Sequence, residues 1–249
     1  MYHFYTDRKN IGEESVILDG PEANHIRNAL RMKDGEELIV CDGGGTDHFC
    51  RICGGDGRRL VLEILKSAPS EAELSTRIVL FQGLPKKDKM ELIIQKAVEL
   101  GVCEIVPVMT KRVIVKLDDP AKERKKLERW QQISKSAAEQ SGRGMIPEVS
   151  QVIDFGEALI RAKKLESLVI PYENADNSCR GLEASRKVVQ SLKGSRSIGI
   201  MIGPEGGFEE EEVKLAVEAG FRMISLGKRI LRTETAGPAA LAIIGFELD

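Results

Sequence analysis

The chain of 249 residues is poor in aromatic side chains, at 4%, and in cysteine, with five. Nowhere does it run apolar for the roughly 18 residues that a membrane-spanning helix needs, so no span is expected. Its N-terminus, Met1-Tyr-His-Phe-Tyr-Thr-Asp-Arg, is too polar for a secretory signal. Cys41, Cys50, Cys53, Cys103 and Cys179 are too few and too scattered for a disulfide framework in a chain of this length. These absences leave a reduced, cytoplasmic protein. The net charge is only −2, which argues against a generic nucleic-acid coat.

Metal-ligand spacing is equally thin. Cys50-Arg-Ile-Cys53 is a C-x-x-C with Cys41 and His48 nearby, but a structural zinc wants a second compact pair. If the segment is a regular strand, Cys50 and Cys53 point to opposite faces. His3, His25 and His48 stand alone in the sequence. No metal is expected.

What is present is ample apolar content, 42%, enough for the core of one large domain or two small ones. Charge is also present, and it is unevenly placed. Residues 1–76 carry 9 basic and 14 acidic side chains, net −5; residues 77–146 carry 15 and 9, net +6; residues 147–249 carry 13 and 16, net −3. A basic middle can attract a polyanion even in a near-neutral molecule. The alternative is that Lys122 to Arg129 is a solvated helix face, with Glu123 and Glu128 interleaved.

Residues 1–70 read as a small β-rich, barrel-like module. A short helix is expected over Pro21 to Met32, with proline in its first turn and Lys33-Asp-Gly as its stop. Strand-like runs follow at 37–42, 48–53 and 58–65, separated by glycine clusters. The linker is expected at 71–75, within the polar stretch that opens at Ser67-Ala-Pro-Ser.

From residue 76 to 249 strands alternate with helices. Strands are expected at 77–84, 104–109, 167–171, 196–203 and 222–226. Helices are expected at 86–100, 120–141, 181–192, 209–219 and about 233–246. In the first of these, Met90, Ile93, Ile94, Ala97 and Val98 keep the spacing of one apolar face, and Gly101 ends it. In the second, Leu127, Trp130, Ile133 and Ala137 point inward. The alternation predicts an α/β domain with a mainly parallel sheet, whose ligands sit beyond the carboxyl ends of strands.

Three polar segments fall at such ends: Tyr172-Glu-Asn, and two that carry more chemistry. Ile202-Gly-Pro-Glu-Gly-Gly-Phe has the glycines of a nucleotide loop but fits neither the dinucleotide fingerprint nor the P-loop. Glu205 at its centre would repel phosphate and suits a cationic or hydroxyl-rich ligand; otherwise the loop is a tight turn with Glu205 in solvent. The glutamates 209–212 complement a helix N-terminus. Leu226-Gly-Lys-Arg-Ile-Leu-Arg-Thr-Glu-Thr-Ala packs three cations, an acid and two hydroxyls before a helix. Thr233 or Thr235 can cap that helix, and Pro238 favours Thr235 because proline sits best in a first turn. The small residues Ala236, Gly237, Ala239, Ala240 and Ala242 suit a close helix or subunit contact.

Taken with Lys89-Met-Glu-Leu-Ile-Ile-Gln-Lys-Ala-Val-Glu-Leu-Gly, and with Glu128-Arg-Trp-Gln-Gln-Ile and Ala138-Glu-Gln-Ser-Gly-Arg, these segments resemble the bacterial RsmE-type methyltransferases of the SPOUT superfamily. The resemblance covers nearly the whole chain, since residues 1–70 look like the family's PUA-like RNA-binding domain. It implies methylation of N3 of a uridine in 16S ribosomal RNA of the 30S subunit, near the decoding centre, with S-adenosylmethionine as cofactor. It also implies a C-terminal trefoil knot and a homodimer. Carried over by motif, the cofactor residues are Pro171, Tyr172 and Glu173; Ile202, Gly203, Pro204, Glu205, Gly206 and Gly207; and Leu226, Gly227, Ile230 and Leu231.

Neutral uridine carries a proton at N3, so methylation there needs its removal or stabilisation of the anion. On this resemblance Arg232 is the candidate for the anion. Glu234 would orient it or act as the base, unless it is only an ion-pair partner near the helix start. Arg143 would hold RNA or reach the site from a partner subunit. Phosphate contacts are expected from Lys86, Lys87, Lys89, Lys111, Arg112, Arg124, Lys125 and Arg129, with Arg27 and Arg31 added from the first helix unless these two serve solubility alone. Rival readings are a non-catalytic RNA binder, a related methyltransferase with another RNA target, and a dinucleotide oxidoreductase. The last is disfavoured by the missing G-x-G-x-x-G.

Overall fold

The computed structural model describes residues 1–114, 119–172 and 182–248. It divides into two compact units, Met1–Glu73 with Ala138–Ile146, and Leu74–Ala137 with Pro147–Asp249.

The N-terminal unit holds strands β1 (His3–Tyr5), β2 (Ser15–Asp19), β3 (Glu37–Cys41), β4 (Thr46–Gly55) and β5 (Arg59–Pro69). They form one sheet in the order β1-β3-β4-β5-β2. β1 pairs parallel with β3, and the remaining ladders are antiparallel. Alternation of side chains sends Val16, Leu18, Leu38, Val40, Cys50, Ile52, Leu60 and Leu62 into one core with Ala23 and Ile26. The expected helix at 21–32 is shorter. An α-turn α1 (Pro21–Asn24) continues as a π-turn (His25–Ala29), and the chain leaves it through Arg31 at φ 57°. Two strands are absent from the expected set: β1, whose three residues are too short to show a period, and β2, whose five alternate with Val16 and Leu18 buried.

The polar stretch that opens at Ser67 begins as strand, since β5 runs on to Pro69 opposite Thr46. Glu73 then takes a structural task. Its carboxylate accepts the N–H groups of Gly144 and Met145 at 2.8 and 3.1 Å and two N–H donors of Arg143 at 2.9 and 2.6 Å. The Tyr5 hydroxyl donates to the Arg143 carbonyl, and the Cys41 thiol and the Gly45 N–H donate to that of Gly144. Segment 138–146 is thus bound into the N-terminal unit although residues 74–137 intervene between it and Glu73.

The second unit carries strands β6 (Arg77–Gly83), β7 (Glu104–Met109), β8 (Glu148–Val149), β9 (Ile153–Asp154), β10 (Ser167–Pro171), β11 (Ser197–Ile202) and β12 (Arg222–Ile224). Their main path is β12-β10-β11-β6-β7-β8, with β9 beside β7, and every pair is parallel. β6 and β11 lie centrally and are near-continuous buried apolar runs, as parallel strands covered on both faces must be. Helices α2 (Lys89–Glu99), α3 (Pro120–Ser141), α4 (Phe155–Ala162), α5 (Leu182–Gln190), α6 (Glu210–Glu218) and α7 (Thr233–Leu248) complete the α/β alternation. α2 buries Met90, Ile93, Ile94, Ala97 and Val98, the stripe read from spacing. Its larger side chains contribute roughly 1.5–3 kcal/mol each on burial. α4 was missed in sequence; Asp154 caps it by accepting the Glu157 N–H at 2.8 Å.

α7 starts at Thr233, as expected, but the preference for Thr235 as its cap is a correction: Thr235 lies within the helix, and so does Pro238. The first turn closes when Thr235 and Ala236 both donate to the Arg232 carbonyl at 2.8 Å. Pro238 forgoes the N–H that would bond the Glu234 carbonyl. Tertiary bonds hold Thr233 instead: its hydroxyl donates to the Gly203 carbonyl at 2.7 Å and accepts from Gln82 Nε2 at 2.9 Å.

Candidate active site

Because β10, β11 and β12 are neighbours and parallel, their carboxyl ends lie along one edge of the sheet. The segments leaving those ends converge there on a cavity of about 460 Å³. Its walls are residues 171–172, 202–208, 225–227 and 229–233, with Lys89, Arg112 and Ala236. A volume of that order suits a nucleoside-sized ligand. Each described residue named above for the cofactor is in this wall; Glu173 lies outside the described residues.

Glycine geometry explains how the wall comes so close. Gly83, the last residue of β6, lies against Pro204: a Cβ on it would fall 2.6 Å from both the Cδ and the N of that proline. Gly207 has φ 67°, the left-handed region that an ordinary side chain disfavours, and its N–H closes the turn onto the Pro204 carbonyl at 2.9 Å.

Glu205 is neither in free solvent nor unpaired. Its carboxylate accepts the Lys86 N–H at 3.1 and 3.3 Å and lies 3.3 Å from the Lys89 ammonium. Burial pushes this carboxyl up, but the N–H groups of its own residue and of Lys86, together with Lys89, outweigh burial and hold it below the usual range. Lys87, between these two donors, takes φ 55°, strained for a lysine. Lys89 also lies 3.2 Å from Glu234, whose carboxylate beside it raises the ammonium above its ordinary value.

The other acids of the glycine loop are structural. The Glu212 side chain is buried; its oxygens accept the Glu209 N–H at 2.9 Å and the Lys111 N–H at 2.8 Å. Arg112 donates to Glu209 and to the Gly206 carbonyl, each at 2.8 Å, so it braces the loop.

The expected catalytic residues separate. Arg232 lines the cavity and makes no ion pair among the described residues. Glu234 is not in the cavity wall; its Oε2 is buried with no hydrogen bond of good geometry, and the Lys89 ammonium supplies the compensating charge. Arg143 belongs to the N-terminal unit, 3% exposed and clasped by Glu73.

Of the expected phosphate contacts, Lys86, Lys87, Arg124 and Lys125 are exposed, with no ion pair among the described residues. Arg129 pairs with Glu91 at 2.7 Å. Lys111 is exposed, Lys89 and Arg112 are engaged as above, and Arg31 is exposed. Arg27 is turned inward, donating to the Met32 carbonyl at 2.8 Å and to Asp34. Ser225, Phe208, Arg229, Thr233 and Ala236 also line the cavity without being among the expected cofactor residues; Arg229 and Arg232, three apart, could both face a polyanion, Thr233 was a candidate cap and Ala236 a small residue for a close helix contact.

Among the described residues, one group of three has metal-ligand atoms near one another, His3, Cys41 and Asp47, within 4.8 Å. Protein bonds account for it: His3 Nε2 bonds Asp47 at 3.0 Å, and Cys41 bonds Gly144 at 2.7 Å while burial pushes its thiol up to about 12. In β4, Cys50 is buried and Cys53 exposed, on opposite faces.

Residues 72–245 match the family described as RNA methyltransferase domain, and residues 18–65 that described as RNA methyltransferase PUA domain. A ribosomal RNA small subunit methyltransferase E from Bacillus subtilis is 37% identical over 232 residues, 93% of this chain and 90% of that one. The crystal structure of another, from Neisseria gonorrhoeae and bound to S-adenosyl methionine, superposes with a TM-score of 0.79 at 37% identity, covering 97% of this chain and 95% of that one. A methyltransferase from Legionella pneumophila in complex with the same cofactor gives 0.78 at 31% identity, covering 97% and 96%. Agreement of this extent, in sequence and in fold alike, makes the chain a member of the RsmE family of RNA methyltransferases in the SPOUT superfamily.

Proposed function

We propose that this chain transfers the methyl group of S-adenosylmethionine to N3 of a uridine in 16S ribosomal RNA of the small subunit. The observation that carries this is the cavity built from the carboxyl ends of β10, β11 and β12, with Arg232 in its wall making no ion pair among the described residues. The bound cofactor supplies an electrophilic methyl on a sulfonium, so no metal is called for. The chain's part is to hold the uridine with N3 in line and to stabilise the charge left when its proton departs. The Arg232 guanidinium can donate to the oxygens that carry that charge. Glu234 acts behind Lys89 rather than as a base facing the uridine, a reading supported by its absence from the wall.

Lys86, Lys87, Arg124 and Lys125, exposed and without carboxylate partners among the described residues, are the proposed phosphate contacts. The target base must be unstacked or already exposed to enter. A homodimer is supported by Ile243 and Phe246, three apart on α7 and 46% and 87% exposed. No described helix is long and apolar enough to cross a membrane. A ribosomal substrate supports a cytoplasmic location, with the target near the decoding centre of the 30S subunit.

The test is transfer of labelled methyl from S-adenosylmethionine to 30S subunits lacking the modification, with nucleoside analysis of the product. We expect 3-methyluridine. Methyl in another nucleoside would overturn the target and keep the enzyme class. No transfer, with no cofactor binding in calorimetry, would overturn the enzyme reading and favour an RNA-binding protein.

A further inference from the structure

Lys89 read as a phosphate contact from its sequence, yet its ammonium is committed within the second unit. It stands at the first residue of α2 and meets two acids from two different segments of the chain. Glu205 comes from the glycine loop after β11, at 3.3 Å, and Glu234 from the first turn of α7, at 3.2 Å. Two carboxylates that share one cation this closely repel each other once the cation is removed. Glu234 is the more exposed to that loss in energetic terms, because its side chain is 14% accessible and its Oε2 is buried.

From this geometry, and resting on the methyl-transfer reading above, we infer that Lys89 is a positioning residue of the reaction. Its single charge ties the glycine loop to the start of α7 and so sets the width of the cofactor cavity. Arg232, two residues before Glu234, takes its place in the wall from the same anchored turn. Lys89 holds this turn from one side, and the Thr233 hydroxyl, bonded to Gly203 and Gln82, holds it from the other. The lysine works through the two acids and not by touching RNA.

Charge balance separates these roles. Lys89→Met leaves two unpaired carboxylates, and the dissociation constant for S-adenosylhomocysteine, read by calorimetry, is expected to rise about tenfold, the effect of losing one partner of a half-buried pair. Lys89→Met combined with Glu234→Gln removes one charge of each sign, and is expected to recover most of that loss. Lys89→Arg keeps the cation and is expected to stay within about threefold of the parent. Affinity for 30S subunits is expected to be unchanged in all three.

If Lys89→Met leaves cofactor affinity intact and weakens 30S binding, Lys89 is a phosphate contact and the inference is wrong. If the double variant binds no better than Lys89→Met, the counter-charge role is wrong. Should Lys89→Met fail to fold by circular dichroism, the double variant and Lys89→Arg decide: recovery of both folding and affinity supports the role, and loss of affinity in a folded double variant overturns it. Failure of the parent protein itself to bind S-adenosylhomocysteine would instead overturn the methyl-transfer reading.

Discussion

An acid in a glycine loop has an ambiguous meaning until its partners are known. Glu205 has the glycines beside it that a phosphate would want and a charge that a phosphate would reject. Its partners are the Lys86 N–H and the Lys89 ammonium. Folding therefore lowers its carboxyl below the ordinary value. For a group with a lowered folded value, the stabilisation is complete above the unfolded value, near 4.3 for glutamate, and is lost as pH falls through the lowered folded one. The gap in melting temperature between the parent and Glu205→Gln is expected to be widest near neutral pH and to close as the pH is taken below about 4. A gap that stays constant across that range would refute the coupling. At this scale Arg143 teaches the opposite lesson to Arg232: two arginines in equally suggestive motifs, one locked by Glu73 and one left facing a cavity.

Elements place those side chains. The order β12-β10-β11-β6 sets three loop-bearing strand ends side by side, and β6 contributes Gly83 against Pro204. A methyl group on Gly83 would meet backbone nitrogen and ring carbon at 2.6 Å, neither of which moves without moving the loop. Gly83→Ala is expected to destabilise by about 1–3 kcal/mol, as overpacking does, and to weaken cofactor binding measurably in calorimetry. Gly54→Ala in β4, where an added Cβ meets nothing within 4 Å, serves as the control expected near the parent. Equal behaviour of the two variants would show that the close approach does not shape the loop. Helix boundaries show the same dependence on neighbours. Pro238 favoured Thr235 as the cap of α7, but bonds from Thr233 to Gly203 and Gln82 hold the start at Thr233, and the helix accepts an internal proline.

For the whole molecule, the uneven charge matters more than the net value of −2. The long helix α3 presents Arg124 and Lys125 to solvent, and Lys86 and Lys87 are exposed at the turn before α2. Each phosphate neutralised by such a side chain adds to the salt dependence of binding. Replacing Arg124 and Lys125 together by glutamine is expected to weaken 30S binding and to flatten the slope of log affinity against log salt by roughly 1.4, two contacts at about 0.7 each for single-stranded RNA. An unchanged slope would move the RNA footprint elsewhere. Cofactor affinity is expected to be unaffected, which separates this surface from the cavity.

Sequence by itself determined the parallel α/β alternation, the apolar stripe of α2, the span of α3 and the loops that form the cavity wall. Those features repeat at 3.6 or 2 residues, or stand in contiguous motifs, and local physics suffices to read them. The short strands β1, β8 and β9 were not legible, because two or three residues cannot display a period. Nor were the pairings that assign roles. The Lys86 N–H meets Glu205 across 119 positions, Lys111 meets Glu212 across 101, and Arg143 meets Glu73 across 70. A charge carries no mark of which distant charge it will meet; the packed fold alone decided which cations bind acids of their own chain.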